Sequence, residues 1–212
     1  MSAQAKKTNP ITENKRILLM TTAPPENGAW YLGKRLPPIG LMYVAAALEK
    51  AGFSVNMLDN YLMKKPIEEV KRLVVEINPV IVGITCGSAT YRRCIEASKV
   101  IKEAVPSCKI VVGGWHASYV PDSLLETQEI DYVVMGEGEA AIVELATSIV
   151  NGDESAATKI PGIAFRGADV TIKNPPKFIE NMDEIPYPAR HLLPLELYDR
   201  TIEYLTANPP MS

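Results

Sequence analysis

Three short loops hold the residues of this 212-residue sequence that are best suited to contact a ligand. Each loop follows an apolar run typical of a buried strand and combines glycine with small polar, aromatic or acidic residues. The loops comprise Thr85, Cys86, Gly87 and Ser88, then Gly113, Gly114, Trp115 and His116, and finally Gly136, Glu137, Gly138 and Glu139. Hydroxyl groups and glycine backbone offer hydrogen bonds without bulk, so the loops predict a binding site.

The chemistry that these loops favour is contact with a ribose or an anion. Glycines in the third loop leave the amides of the next helix N-terminus free to donate hydrogen bonds. The pair Gly113 and Gly114 lets the backbone approach a ligand closely. Each loop alone is equally consistent with an ordinary turn, and the three together favour a site. No GxGxxG motif follows the first strand, which argues against a dinucleotide site. The sequence also has no GxxxxGK[ST] motif, which argues against a phosphate loop.

Five reactive side chains of the sequence, four of them in these loops, each have a structural alternative. His116 could be a ligand or a general acid, but a histidine beside a tryptophan more often makes one ordinary hydrogen bond. His191 lies in a proline-rich segment, where a structural role is favoured. Glu137 and Glu139 at a helix start would complement the helix dipole. Cys86 would be a small buried residue, because nothing near it in sequence predicts a nucleophile.

Apolar runs of strand length alternate with longer periodic segments, which predicts a repeated βα unit. The predicted strands are 16–21, 54–58, 80–85, 109–112 and 132–135, and the predicted helices are 39–51, 67–77, 91–104, 122–128 and 139–150. Runs such as VIVGIT lack a period of two, as expected for strands covered on both faces. We therefore predict an α/β fold, a doubly wound, flavodoxin- or Rossmann-like αβα sandwich around a five-stranded parallel sheet. Ligands bind such sheets at the carboxyl ends of the strands, where the three loops lie.

The C-terminal part of the sequence has a different character. Residues 163–166 and 170–173 flank a Gly-Ala-Asp turn and predict a β-hairpin that adds to a sheet edge. From Asn174 onward, clustered prolines favour an extended arm over a packed element. The predicted organisation is a disordered lead-in at 1–14, a main domain at 15–152, a hairpin appendage at 153–180 and a connector at 181–212.

Composition argues against several classes of function. The 22 basic and 25 acidic residues give no basic footprint for nucleic acid or an anionic membrane. The apolar runs are far shorter than the roughly 20 residues that span a bilayer. Residues 1–14 lack the apolar stretch of a secretory signal. Three irregularly spaced cysteines favour reduced thiols in the cytoplasm over a disulfide framework, and they form no metal-ligand pattern.

Four collinear motifs resemble the cobalamin-binding domains that precede radical S-adenosylmethionine modules. PPIGLMYVAAALEKAG at 37–52 is similar to the PPLGL.YLAA.LE.AG segment of that family. VGGWHA at 112–117 resembles the GGPHAT loop of the family, and DYVVMGEGE at 131–139 resembles its D.VV.GEGE strand and turn. DEIPYPARHLLP at 183–194 resembles its LP.PAR.LLP connector. The match runs from about residue 16 to residue 198, in order and with the spacing of the family.

The resemblance implies that the chain binds cobalamin through these motifs. It implies that Thr85, Gly87 and Ser88 lie near the buried base of the nucleotide tail. It also implies that Gly113 and Gly114 make room for the tail. The expected contacts with ribose or phosphate are Gly136, Glu137 and Gly138. The loop at 24–41, which includes Leu41, and the turn at 59–62, which includes Asp59 and Tyr61, are expected to face the corrin ring.

One departure from the family pattern concerns the lower ligand of cobalt. Many cobalamin domains carry Asp-x-His-x-x-Gly after the second strand, and that histidine replaces the nucleotide base on the metal. Tyr61 stands at the position of the histidine in this sequence. The resemblance therefore implies base-off binding with no histidine on the lower face, which would alter the redox behaviour of cobalt.

A second departure concerns catalysis. The radical module of the family begins with CxxxCxxC, which holds a [4Fe-4S] cluster and leaves one iron for S-adenosylmethionine. This sequence has no such motif, so we expect a cofactor domain that binds without turnover and acts with a radical module in cis. The parent enzyme would methylate an unactivated carbon, or would close a ring oxidatively like the anaerobic magnesium-protoporphyrin ester cyclases. The sequence leaves both activities open.

Two other classes of protein remain as alternatives. A response-regulator-like interaction module needs paired acidic residues at the end of the first strand, and Thr21-Thr22-Ala23 supplies none. A flavodoxin-like electron carrier needs a hydroxyl-rich loop there for the flavin phosphate. The two threonines match that need in part, but Pro24 and Pro25 remove two backbone donors.

Overall fold

One sheet organises the part of the chain that the computed structural model describes, which is 15–24 and 36–198. The strands there are β1 (Arg16–Thr21), β2 (Ser54–Asp59), β3 (Ile81–Thr85), β4 (Lys109–Gly113), β5 (Tyr132–Val134), β6 (Ile163–Arg166) and β7 (Thr171–Lys173). The predictions for 1–14, for 25–35 of the loop toward the corrin, and for 199–212 of the connector lie outside the described residues.

The strands lie in the order β2-β1-β3-β4-β5-β6-β7. β1 to β5 are parallel, and the order reverses between β1 and β3, so the predicted doubly wound sheet is confirmed. β6 pairs antiparallel with β5 and β7 antiparallel with β6. The predicted hairpin therefore extends the five parallel strands into a seven-stranded sheet.

Helices cover both faces of the sheet. They are α1 (Ile39–Lys50), α2 (Asn60–Met63), α3 (Ile67–Ile77), α4 (Tyr91–Ala104), α5 (Trp115–Tyr119), α6 (Pro121–Leu125) and α7 (Gly138–Val150). α1 and α7 pack on one face, and α3, α4, α5 and α6 pack on the other. We call these the α1/α7 face and the α3–α6 face. None of the helices in the described ranges is long and apolar enough to cross a bilayer.

The end of α6 and the presence of α5 differ from the prediction. α6 ends at Leu125, whereas a helix to residue 128 is predicted. The Arg166 guanidinium donates hydrogen bonds to the carbonyls of Leu125, Thr127 and Ile130 through Nη1 and of Gln128 through Nη2. Arg166 of the hairpin thus satisfies carbonyl groups at the end of α6 and in the turn that follows it. The five-residue helix α5 is absent from the prediction, because so short a segment shows no helical period.

The described part of the proline-rich arm packs on α1, whereas the sequence predicts an extended arm and not a packed element. The Ala189 amide donates to the Met42 carbonyl at 3.0 Å. His191 Nε2 and Glu49 Oε1 lie 3.0 Å apart, which fits the predicted structural role of this histidine. Leu193 and Tyr198 are buried against Met42. These contacts fix the arm beside α1 up to residue 198.

Candidate functional site

An open slot lies between the α1/α7 face of the sheet and these two helices, at the carboxyl ends of the central strands. Its volume is about 400 Å³. The slot is lined by Leu19, Pro38, Ile39, Gly40, Leu41, Val44, Gly83, Ile84, Thr85, Val111, Gly113, Gly114, Val134, Gly136, Glu137, Gly138, Glu139 and Ile142. Its position matches the crevice that doubly wound sheets use to bind ligands.

The floor of the slot is formed by the central strands of the sheet, which carry glycines on the α1/α7 face. Gly83 lies between Leu19 and Val111 in the register of β1, β3 and β4. A β-carbon on Gly83 would lie 2.6 Å from Leu19 Cδ2, so the leucine already occupies the space beside the glycine. Gly113 pairs with Thr85 one step nearer the rim. Gly113 has no side chain, and a β-carbon there would meet Val134 Cβ at 3.6 Å, so this glycine leaves space that a ligand would fill.

The walls come from the first turns of the two helices. Pro38 and Leu41 line the slot from the start of α1, and Ile142 lines it from α7. A β-carbon on Gly138 would lie 3.5 Å from both Val44 Cγ2 and Val134 Cγ1, which is ordinary contact. α1 and α7 therefore enclose the slot with an apolar surface.

Two glycines at the rim have backbone conformations that other residues rarely adopt. Gly114 has φ +99°, and a β-carbon there would lie 2.8 Å from Thr85 Oγ1 and 3.0 Å from the Cys86 carbonyl oxygen. Gly136 has φ +74°, and its amide donates to Ser118 Oγ at 2.9 Å. These conformations hold the second and third loops close to the end of β3 and to α5.

The structure brings half of the predicted site residues to the slot and places the other half elsewhere. Seven line the slot: Leu41, Thr85, Gly113, Gly114, Gly136, Glu137 and Gly138. Seven are outside its lining: Asp59, Tyr61, Cys86, Gly87, Ser88, Trp115 and His116. The second group forms three local arrangements.

Cys86 lies in the core of the α3–α6 face and not in the crevice where we expected it. Its side chain is 0% exposed. A hydrogen bond from the Cys94 thiol lowers the pKa of Cys86, and this bond together with burial raises the pKa of Cys94. Cys86 fits the small buried residue that we weighed as the alternative.

Ser88 and His116 form a polar pair at the rim, outside the slot. Ser88 Oγ and His116 Nδ1 lie 2.8 Å apart, and the imidazole makes edge contacts with Tyr91 and Trp115. A β-carbon on Gly87 would lie 3.5 Å from Trp115 Nε1, and the indole itself is 64% exposed. No cluster of three or more metal-ligating His, Cys, Asp or Glu side chains occurs in the described ranges.

Asp59 is buried in a hydrogen-bond network, whereas we expected it to face the corrin ring. Thr21 Oγ1 donates to Asp59 Oδ1 at 2.6 Å, and the Tyr198 hydroxyl donates to Asp59 Oδ2 at 2.8 Å. The Tyr61 amide donates to Thr21 Oγ1 at 2.8 Å. Burial and the Asp59 carboxylate raise the pKa of Tyr198. The network joins β1, β2, α2 and the arm beside the slot.

The polar groups of the slot are acidic or neutral. Glu137 Oε2 accepts a hydrogen bond from the Ile179 amide at 2.7 Å. Glu139 Oε2 is buried and has no hydrogen-bond partner among the described residues. No lysine or arginine is among the described residues that line the slot. The slot therefore offers acceptors beside an apolar floor.

Several lining residues escaped the sequence reasoning. Leu19, Val111 and Val134 read as ordinary core residues because the strands are uniformly apolar. Gly83 carried a usable signal, because a glycine inside a strand often marks a close approach of a ligand. The Asp131 of the DYVVMGEGE motif lies away from the slot, where it accepts from Lys102 Nζ and the Ile110 amide, both at 2.7 Å.

Known relatives match this sequence over most of its length. It is 29% identical over 188 residues to the uncharacterized methyltransferase PH0819 of Pyrococcus horikoshii, covering 87% of this chain and 40% of that protein. It is 28% identical over 172 residues to the anaerobic magnesium-protoporphyrin IX monomethyl ester cyclase of Synechocystis, covering 79% of this chain and 34% of that protein. The chain therefore spans well under half the length of these relatives.

A solved structure shares the fold. The radical S-adenosylmethionine methyltransferase TsrM of Kitasatospora setae, with cobalamin and a [4Fe-4S] cluster bound, superposes with a TM-score of 0.65 at 24% identity. The match covers 82% of this chain and 31% of that chain. Residues 31–146 match the family described as the B12 binding domain. This range includes all of α1 and the part of α7 up to residue 146, which are the helices that enclose the slot. The chain belongs to the B12 binding domain family.

Proposed function

We propose that this chain holds cobalamin for a radical S-adenosylmethionine enzyme, with the nucleotide tail of the cofactor in the slot and the corrin ring over the rim. The observation that carries the proposal is the open slot between the α1/α7 face and its helices. A volume of about 400 Å³ falls in the range of about 300–1,000 Å³ typical of ligand cavities. The family match supports the identity of the ligand.

The chemistry of the lining fits a nucleotide tail. An aromatic base needs a flat apolar surface, which Leu19, Val111 and Val134 supply on the floor. A ribose needs hydrogen-bond acceptors, which the α7 end of the slot supplies. The contacts of Thr85, Gly113, Gly114, Gly136, Glu137 and Gly138 with the tail remain predictions, as do corrin contacts of Leu41 and Tyr61.

The turn after β2 supports base-off binding without a histidine ligand. Both carboxylate oxygens of Asp59 accept hydrogen bonds, from Thr21 and Tyr198. The position that the family motif gives to histidine holds Tyr61. His116, in the first turn of α5, is hydrogen-bonded to Ser88, which follows β3. Bound cobalamin would supply chemistry for methyl or electron transfer, and the residues of this turn would hold it without offering an imidazole to the metal.

The partner of this domain is, in our proposal, a radical module in cis that supplies a [4Fe-4S] cluster and S-adenosylmethionine. The chain spans 40% and 34% of the two relatives, which leaves room in them for further modules. One relative is called a methyltransferase and the other a cyclase, so both activities stay open for the parent protein. Three free buried cysteines support a reducing, cytoplasmic setting.

Retention of cofactor through desalting tests the proposal. The chain is incubated with hydroxocobalamin or with flavin mononucleotide, passed through a desalting column, and its absorbance spectrum is recorded. We expect corrinoid absorbance near one equivalent and no flavin. Retained flavin without corrinoid would instead favour the flavodoxin-like alternative, and retention of neither would favour an interaction module. The family match does not favour either alternative.

A further inference from the structure

The wall of the slot at the start of α1 has little local support. Pro38 stands at the N-cap position and forms no side-chain hydrogen bond to the first turn, which also contains no acidic residue. Gly40 lies inside this turn, where glycine disfavours a helix, and a β-carbon on it would meet no atom of another segment within 4 Å. Contacts with other parts of the chain must therefore hold the first turns of α1 in place.

The proline-rich arm supplies such contacts to the turns of α1 that line the slot. Leu41 and Val44 line the slot, whereas Met42 between them does not. Met42 is 1% exposed and packs instead against Leu193 and Tyr198 of the arm. The same two turns of α1 thus carry the lining of the slot and the contact with the arm.

Hydrogen bonds fix the arm at both ends of this contact. The Ala189 amide donates to the Met42 carbonyl at 3.0 Å. The Tyr198 hydroxyl donates to Asp59 Oδ2 at 2.8 Å in a buried position at the end of β2. The arm is therefore bonded to α1 and to the sheet, and it holds one to the other.

We infer that the arm acts as a strap that fixes the α1 wall of the slot, so that docking of the arm and binding of the corrinoid are coupled. The identity of the ligand in this inference rests on the proposed function. When the arm leaves α1, Met42 loses its cover and the weakly supported first turns can shift, so the ligand loses contacts. By linkage, a bound ligand favours the docked arm by the same factor. Leu193 and Tyr198 are thus positioning residues outside the lining of the slot.

Substitutions of two leucines in the arm separate the strap from the rest of the fold. Leu193→Ala removes a side chain that is 8% exposed and packs on α1, and Leu195→Ala is the matched control because Leu195 is 41% exposed. Tyr198→Phe is a milder variant that keeps the ring and loses the hydroxyl. Ile110→Val, in the core of the α3–α6 face, controls for a general loss of stability.

Two measurements are made on each protein. Hydrogen exchange followed by NMR reports on two amides with known partners. The Ala189 amide reports on docking of the arm, and the Met42 amide, which donates to the Pro38 carbonyl at 3.1 Å, reports on the first turn of α1. Absorbance titration gives the dissociation constant of hydroxocobalamin.

We expect Leu193→Ala to speed exchange of both amides about tenfold in the cofactor-free protein, because the arm opens more often. Its dissociation constant for hydroxocobalamin should rise about three- to tenfold, since only the fraction with a docked arm binds well. Saturating hydroxocobalamin should slow the exchange of Ala189 again in this variant. Tyr198→Phe should weaken binding about two- to threefold. Leu195→Ala and Ile110→Val should bind like the wild type.

Three outcomes would overturn the strap or its basis. If Leu193→Ala and Tyr198→Phe speed exchange of Ala189 but keep wild-type affinity, the arm does not support the slot. If Leu195→Ala or Ile110→Val loses as much affinity as Leu193→Ala, the effect is a general loss of stability. Should Leu193→Ala fail to fold, Tyr198→Phe decides the same comparison.

The proposed function can fail separately from the strap. It fails if the wild-type chain retains no corrinoid. The exchange of the Met42 amide in the cofactor-free variants then still tests the support of α1, and wild-type exchange of this amide in Leu193→Ala would overturn the strap.

Discussion

The two faces of the sheet use the same strands in opposite ways. On the α3–α6 face, Val82 and Val112 are 0% exposed and pack in a continuous core. On the α1/α7 face, the adjacent residues Gly83 and Gly113 line the slot and have no side chains. The register of β3 and β4 is the same for both faces. The binding site therefore arises from side chains that are missing on one face of a fully packed scaffold.

Because of this difference, we expect the α3–α6 face to determine the stability of the fold and the α1/α7 face to determine cofactor affinity. Changes on the α3–α6 face should alter the free energy of unfolding and leave cofactor affinity unaltered. Changes in the slot should do the reverse. The predictions that follow test this separation.

Ile110→Ala should have the largest effect on stability. The side chain is 0% exposed, and its loss leaves a cavity that lowers the free energy of unfolding by about 2–5 kcal/mol. Urea unfolding followed by circular dichroism measures the change. Ile110→Val is the graded control, with an expected loss of about 0.5–1.5 kcal/mol. Folded Ile110→Val protein should bind hydroxocobalamin like the wild type, and a large loss of affinity would contradict the separation of the faces.

Gly113→Leu should have the largest effect on binding. A β-carbon there would meet Val134 Cβ at 3.6 Å, which is ordinary contact, so the leucine can enter the slot without distorting β4. The filled slot should bind hydroxocobalamin about 100-fold more weakly, because the tail and the leucine compete for one space. Absorbance titration measures the affinity, and the circular dichroism spectrum controls for the fold. Wild-type affinity in this variant would mean that the tail lies elsewhere.

Tyr198→Phe should have a smaller effect that depends on pH. The variant loses the hydrogen bond to Asp59, which we expect to lower the free energy of unfolding by about 1–2 kcal/mol at pH 8. The pKa of Tyr198 is raised above its ordinary value of 10 in the folded state. The contribution of Tyr198 is therefore fully present below pH 10 and decreases at higher pH, where the unfolded chain loses the phenolic proton first.

The measurement for this variant is urea unfolding at pH 8, 9, 10 and 11. The difference between wild type and Tyr198→Phe should be constant at the lower values and shrink above pH 10. A difference that grows with pH would show that the phenol is not bound to a carboxylate in the folded protein.

The thiols should give the smallest response. Burial raises the pKa of Cys108 to about 12, and Cys86, Cys94 and Cys108 all lie in the core of the α3–α6 face. Iodoacetamide at pH 8 should leave native protein unlabelled over an hour and label three thiols after denaturation, as read by intact-mass spectrometry. Rapid labelling of native protein would show that this face is less tightly packed than described.

The sequence predicts the scaffold well because its signals are local. Gly52 ends the segment that forms α1, and prolines separate the βα units. The helix at Tyr91–Ala104 was predicted with its observed bounds. The parallel pairing follows from uniformly apolar strands, which need cover on both faces.

The details of the site escaped prediction because their causes are distant in sequence. Asp59 was expected at the corrin, but its partner Tyr198 lies 139 residues away and holds it in the interior. Cys86 follows the same strand as Thr85, and the alternation of side chains puts it on the opposite face. Gly83 marks a possible close approach in the sequence, but its neighbours Leu19 and Val111 are known only from the register of the sheet.

Neighbouring valines on the two faces allow the most direct test of where the nucleotide tail binds. Val111 and Val134 line the slot, whereas Val112 and Val133 lie in the core of the α3–α6 face. Hydroxocobalamin is added to protein with labelled valine methyl groups, and nuclear Overhauser effects to the dimethylbenzimidazole protons are recorded. We predict effects to Val111 and Val134 and none to Val112 or Val133. Effects to neither slot valine, from a chain that retains the corrinoid, would contradict the assignment of the slot.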